Sequence, residues 1–149
     1  MTEILFYHLQ RAPLDSVLPG LLERSLERGW RCIVQAGSEE RLEALDTHLW
    51  TYSDDGFLPH GTLRDGNVKE QPVYLTTGPE RPNEANVRFF IDGAEIGDVG
   101  GYERAVVIFD GNDAAAVTAA RASWKSLKYQ GHDLTYWQQS EGGRWEKRA

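Results

Sequence analysis

Arg104-Ala-Val-Val-Ile-Phe-Asp110, then Gly111-Asn-Asp113, then Ala114-Ala-Ala-Val-Thr-Ala-Ala-Arg-Ala-Ser-Trp-Lys-Ser-Leu-Lys-Tyr129, is the stretch on which the fold turns. Its first part is a nearly continuous apolar run, as expected of a strand covered on both faces. Asp110 to Asp113 offers capping chemistry, and a helix is predicted from Ala114 to Tyr129. At about 100° per residue, Val117, Ala120, Trp124 and Leu127 fall on one side of that helix. Arg121, Lys125 and Lys128 form a stripe beside them. One face is suited to burial and the other to anions.

Working outward, the rest of the chain repeats the strand-then-helix alternation. Ile4 to Leu9 reads as a central strand, and Leu18, Leu21, Leu22 and Leu26 recur at helical spacing until Gly29 stops the helix. Pro19 is tolerable in that helix only near its first turn. Trp30 to Ala36 is a second strand, and Leu42, Leu45, Leu49 and Trp50 mark the buried stripe of a second helix. Pro72 to Thr77 and Asn86 to Asp92 are short strands with no helix between them, which predicts an antiparallel portion of the sheet. Asp133 to Gln139 alternates as a final strand at or near an edge, and the tail from Ser140 is expected to fray unless Trp145 packs back. The pattern is that of a single α/β domain over 1–149, layered and Rossmann-like, with a mostly parallel sheet flanked by helices.

Composition narrows the function classes. Sixteen Lys+Arg against 23 Asp+Glu give a net charge of -7, which argues against direct nucleic-acid binding, because such affinity comes mainly from neutralised phosphates. The single cysteine, Cys32, lies in an apolar run and has no partner for an internal disulfide, as fits a reducing compartment. The N-terminus carries an acid in place of a basic leader, and no apolar run approaches the roughly 20 residues of a membrane span. A soluble, cytoplasmic protein with no membrane partner is expected.

The motifs that would carry chemistry are missing. No G-x-G-x-x-G follows the first strand and no Walker Lys-Ser/Thr occurs, while Gly97-Asp-Val-Gly-Gly101 does not run from a strand into a helix. The four histidines, His8, His48, His60 and His132, have no metal-ligand spacing. Asp54-Asp55 near His60 is the one acid/base cluster to weigh, and loop solvation with capping accounts for it equally. No catalytic residue, metal or cofactor is predicted. The cation stripe has two readings. Exposed helix faces carry charge for solvation, and lysines near a helix C-terminus complement the macrodipole. Trp124, at the border of the two faces, favours a site: its indole would floor a pocket rimmed by Arg121 and Lys125, suited to an acidic peptide ending in an aromatic residue. An α/β enzyme using the same cations on a small anionic substrate is the alternative.

Several segments resemble the chi subunit of bacterial DNA polymerase III holoenzyme over nearly the whole length. They are Phe6-Tyr7-x-Leu9, Arg28-Gly29-Trp30-Arg31 and, most specific, Leu45-Asp46-x-x-Leu49-Trp50 followed after six residues by Phe57-Leu58-Pro59-His60. The resemblance implies a non-catalytic accessory subunit that binds the acidic C-terminal tail of single-stranded DNA-binding protein and joins the clamp loader through the psi subunit. It puts the family's Arg-x-x-aromatic-Lys pattern on Arg121, Trp124 and Lys125, with Lys128 and Val117 beside them. The aromatic here is Trp where Tyr also occurs, and Val117 is apolar where a further cation can occur. It also implies a second surface at Trp50, Phe57, Leu58, Pro59 and His60 for psi or for a competing helicase.

Overall fold

The computed structural model describes residues 2–10, 13–51 and 59–149. In chain order these form β1 (Glu3–Leu9), α1 (Leu14–Glu27), β2 (Cys32–Gln35), α2 (Glu39–Thr51), single 3-10 turns at Leu63–Asp65 and Val68–Glu70, and β3 (Val73–Thr76). There follow β4 (Val87–Phe90), β5 (Arg104–Asp110), α3 (Ala114–Tyr129), β6 (Asp133–Gln139) and β7 (Trp145–Lys147). One sheet takes the strands in the order β3-β2-β4-β5-β1-β6-β7. Every neighbouring pair is parallel except β6 with β7.

The connections leave β1 and β5 in opposite directions across the sheet, so right-handed crossovers place α1 and α2 on one face and α3 on the other. The core divides accordingly. Leu18, Leu22, Leu42, Leu45 and Leu49 of the first two helices bury against Cys32, Val34, Val87, Phe89, Val106 and Ile108. On the opposite face, Ala120 and Leu127 of α3 bury against Ile4, Phe6, Val107 and Phe109. The continuous apolar runs of β1 and β5 are thus central strands covered on both sides.

The predicted antiparallel portion is corrected. β3 and β4 do not pair with each other; each lies parallel to β2, one on either side. The crossover between them has no helix, and side chains hold it in place. Asn83 Nδ2 donates to the Cys32 and Gln71 carbonyls at 3.1 and 2.9 Å, and Arg81 donates to the Ala85 and Gly101 carbonyls. Ala85 and Tyr102 then bury against Ile33 and Tyr74, closing a small cluster where a helix would otherwise lie. The tail does not simply fray: β7 pairs with β6, and Trp145 meets Tyr7 edge-on with centroids 5.0 Å apart.

Pro19 also departs from expectation, since it sits in the second turn of α1. A proline there leaves the carbonyl of Asp15, four residues earlier, without its helical donor. His48 of α2 supplies the replacement, its Nε2 donating to the Asp15 carbonyl at 2.6 Å. His48→Ala should therefore cost about 1–2 kcal/mol in urea unfolding. In a Pro19→Ala background the same change should cost less than half as much, because the restored backbone N–H takes the carbonyl. An equal cost in both backgrounds would refute this pairing.

Candidate functional site

On α3, Asp113 caps the helix by accepting from the backbone N–H groups of Ala115 and Ala116. That fixes the helical phase, which buries Ala120 and Leu127, leaves Val117 and Trp124 half-buried, and exposes Arg121, Lys125 and Lys128. None of the three cations forms an ion pair with a described residue, although five Arg–carboxylate pairs occur elsewhere among the described residues. A stripe of solvated charge is usual on a helix, but an unpaired one on a chain of net charge -7 marks a place where an anion is welcome.

Trp124 packs edge-on against Phe6 at 5.3 Å and Tyr136 at 5.7 Å, in an aromatic group that also includes Phe109 and His8. Of this group only Trp124 is a predicted site residue; Phe6, His8, Phe109 and Tyr136 are not, and His8 and Tyr136 are the two that bring polar groups. The signal lay in strand alternation, since Phe6 and Tyr136 are register partners of β1 and β6, and residue 8 shares the face of residue 6. Gly111 is required here, because a Cβ on it would run into the His8 ring.

Gln10 Nε2 donates to His8 Nε2 at 3.1 Å, so the other ring nitrogen, Nδ1, carries the proton and donates to the Tyr136 hydroxyl oxygen at 2.6 Å. The Tyr136 hydroxyl proton then has no acceptor among the described residues, and Arg121 is close enough to act on the hydroxyl electrostatically. Burial, followed by the Arg121 charge, holds the His8 pKa below its ordinary value, with Asp110 acting in the other direction. Burial raises the Tyr136 pKa, and Arg121 partly opposes it. The group is therefore a neutral aromatic bed with a cation and a hydroxyl donor at its edge. Neither Arg121 nor Trp124 lines the cavities of about 370 to 780 Å³ found among the described residues.

The second predicted surface is partly described. The expected buried stripe of α2 is corrected at its end: Leu42, Leu45 and Leu49 are buried, but Trp50, in the last turn, is 53% exposed, with its ring centroid 4.5 Å from that of His60. His60 is buried, its Nε2 donating to the Asp46 carbonyl at 3.3 Å and lying 3.0 Å from Asp46 Oδ1, so it props Trp50 and offers little surface of its own. Pro59 is half-buried. Phe57 and Leu58, with Asp54 and Asp55, lie outside the described residues.

Comparison with known families settles the affiliation. The model of the family described as DNA polymerase III chi subunit, HolC, matches residues 1–135. This chain belongs to the DNA polymerase III chi subunit family. The family is an accessory subunit of the polymerase, not the catalytic one. A relative from Rickettsia prowazekii (strain Madrid E), a probable DNA polymerase III subunit chi, is 27% identical over 99 residues, which are 66% of this chain and 60% of the relative. The chain thus spans less than two thirds of the length of the curated relative it matches.

The chi-family chain departs from nucleotide-binding α/β proteins at the place where those proteins hold phosphate. Ligands of open parallel sheets sit where neighbouring connections diverge, here between the C-terminal ends of β1 and β5. A cavity of about 780 Å³ opens there, and the charged groups lining it are Asp92, Asp110 and Asp113. Among the described residues its charge is wholly acidic, and the α3 N-terminus is already occupied by Asp113. Among the described residues no group of three or more His, Cys, Asp or Glu could hold a metal ion, and no helix is long and apolar enough to cross a membrane.

The coupling of His8 to Arg121 has a testable sign. Its lowered pKa means that the folded chain resists charging the ring, so its contribution to stability is lost as pH falls through and below the ordinary imidazole range. A carboxylate docked beside Arg121 offsets the guanidinium and raises the His8 pKa. Binding of an anionic peptide there should therefore take up a proton and tighten as pH drops from about 7.5 to about 6. Following the His8 ring protons by NMR, with and without peptide, measures this directly. A His8 titration unmoved by saturating peptide would place the anion elsewhere.

Proposed function

We propose that this chain is a non-catalytic connector of the replication machinery, acting in the cytoplasm. It holds the acidic C-terminal tail of single-stranded DNA-binding protein on α3 and engages a psi-like clamp-loader subunit, or a competing helicase, through the Trp50 region. The observation that carries the reading is the unpaired stripe of Arg121, Lys125 and Lys128 lying against the half-buried Trp124. An acidic peptide ending in an aromatic residue has a matching part for each. Its ring would rest on Trp124 and Val117, its terminal carboxylate would take Arg121 and the Tyr136 hydroxyl, and its acids would face Lys125 and Lys128. The crevice between β1 and β5, where such a fold would place a small anionic substrate, carries only acidic charge among its described residues, which weighs against the alternative of an enzyme for that substrate. Direct nucleic-acid binding is disfavoured by the overall charge.

The reading is tested by fluorescence anisotropy with a labelled tail peptide of the organism's own single-stranded DNA-binding protein. Saturable binding that weakens with salt is expected. The partner surface has a separate test. Trp50 is more than half exposed, so Trp50→Ala should weaken a psi-like or helicase partner while changing tail binding not at all and unfolding free energy by under about 1 kcal/mol. A large fall in melting temperature would instead make Trp50 a packing residue.

A further inference from the structure

We propose that the crevice between α1 and the β1–β5 part of the sheet is a second anion-recognition site, which takes an acidic peptide segment carrying one apolar side chain. It lies on the face opposite α3. The crevice has a volume of about 370 Å³ and an apolar floor of Leu5, Phe89 and Val106, with Leu21 of α1 as one wall. Its charged rim is Arg24, Arg28 and Arg104 against a single acid, Glu27.

Arg24 and Arg28 are one helical turn apart, a spacing at which like charges repel. Neither has an ion-pair partner among the described residues, whereas Arg104 pairs with Glu3 at 2.5 Å. The helix macrodipole favours cations at the end of α1, but it accounts neither for Arg104, which comes from β5, nor for the apolar floor between them. Burial raises the Tyr7 pKa; the charges of Arg104 and Arg24 both reach the ring and oppose that rise, while Glu3 adds to it, so cations from α1 and β5 converge on one crevice of an acidic protein. Its size admits about one side chain, and with Arg104 holding Glu3 the rim offers Arg24 and Arg28 to incoming carboxylates.

Single-stranded nucleic acid would present the same sign of charge, but it binds by stacking bases on free aromatic faces. Here the Trp30 ring is taken up by the guanidinium groups of Arg28 and Arg104, 4.0 and 5.1 Å from its centroid. Tyr7 is met edge-on by Trp145. No stacking platform is left, and a polyphosphate strand would run on over a surface of net charge -7. A short acidic peptide brings its charge only to the rim.

The probe is a fluorescein-labelled Asp-Glu-Leu-Asp-Glu peptide with an amidated C-terminus, which lacks the terminal aromatic residue and terminal carboxylate that the α3 site requires. The full chain should bind it saturably, and R24Q/R28Q should weaken binding about tenfold or more. Arg121→Ala should leave it unchanged, which separates this site from the one on α3. Replacing the peptide's Leu by Ser should cost about fivefold or more. R24Q alone, which spares the Arg28–Trp30 contact, should weaken binding by a smaller factor and serves if the double variant unfolds. The proposal is overturned if the parent does not bind, if neither R24Q nor the double variant binds more weakly than the parent, if Arg121→Ala abolishes binding, or if oligothymidylate binds more tightly than the peptide.

Discussion

Arg121→Ala should raise the dissociation constant of the single-stranded DNA-binding protein tail about thirtyfold or more, with the circular dichroism spectrum and melting temperature unchanged. Truncating one member of a charge pair that binding desolvates typically costs about 2–5 kcal/mol, and the lower figure already corresponds to about thirtyfold. Arg121 is placed for this role by the elements around it. It is exposed and unpaired, within electrostatic reach of His8 and Tyr136 and one turn from Trp124. Lys125 and Lys128 are exposed further along the helix, and Arg121, not either lysine, is the cation that acts on His8 and Tyr136, so Lys128→Ala should act mainly through salt-dependent attraction and cost less than about 1 kcal/mol. Arg121→Lys should recover only part of the loss, because a point charge cannot hold a carboxylate in two places. Deleting the peptide's terminal aromatic residue should cost more than deleting any one acid. If folded Arg121→Ala and Lys125→Ala proteins bound the tail as the parent does, the tail would have to dock elsewhere.

Arg88→Met should lower the unfolding free energy by about 3 kcal/mol or more, the largest effect expected of any single change away from the apolar core. Arg88 lies in β4 and is 3% exposed. All its N–H groups are satisfied by neutral acceptors. Nε and Nη2 donate to Gln35 Oε1 at 3.0 and 2.7 Å, Nη2 also donates to the Gly78 carbonyl at 2.5 Å, and Nη1 donates to the Glu80 carbonyl at 2.9 Å and the Tyr102 hydroxyl at 3.2 Å. The side chain thereby ties the start of the helix-free crossover to β2 and β4. Methionine fills the volume but strands several buried acceptors, each costing about 1–3 kcal/mol. Lysine should rescue little, since three donors on one nitrogen cannot span acceptors on four residues. Urea unfolding measures the loss. A change under about 1 kcal/mol would mean that the loop is held by Asn83 and Arg81 alone.

The two faces of α3 were legible in the sequence because helical periodicity acts over one turn and needs no other element. Val117, Ala120, Trp124 and Leu127 on one side, with Arg121, Lys125 and Lys128 beside them, follow from a capped start at Asp113 and a fixed angle per residue. The alternation of strands with helices likewise determined an α/β fold with a mostly parallel sheet, since parallel neighbours require long crossovers and buried apolar strands.

What only the tertiary structure decided are the relations between elements distant along the chain. The sequence cannot say that β3 and β4 flank β2 in parallel, because the crossover between them is held by Asn83, Arg81 and Arg88 and shows no helical periodicity. It cannot show that Pro19 is tolerated in the second turn of α1, because its compensation, His48, is a residue of another helix. Nor can it bring His8 and Tyr136 to Arg121, or Arg104 to Arg24 and Arg28, since those meetings depend on strand order. Local pattern fixes which face of an element is apolar and which is charged. The packing of the sheet decides which charged faces lie together and so become sites.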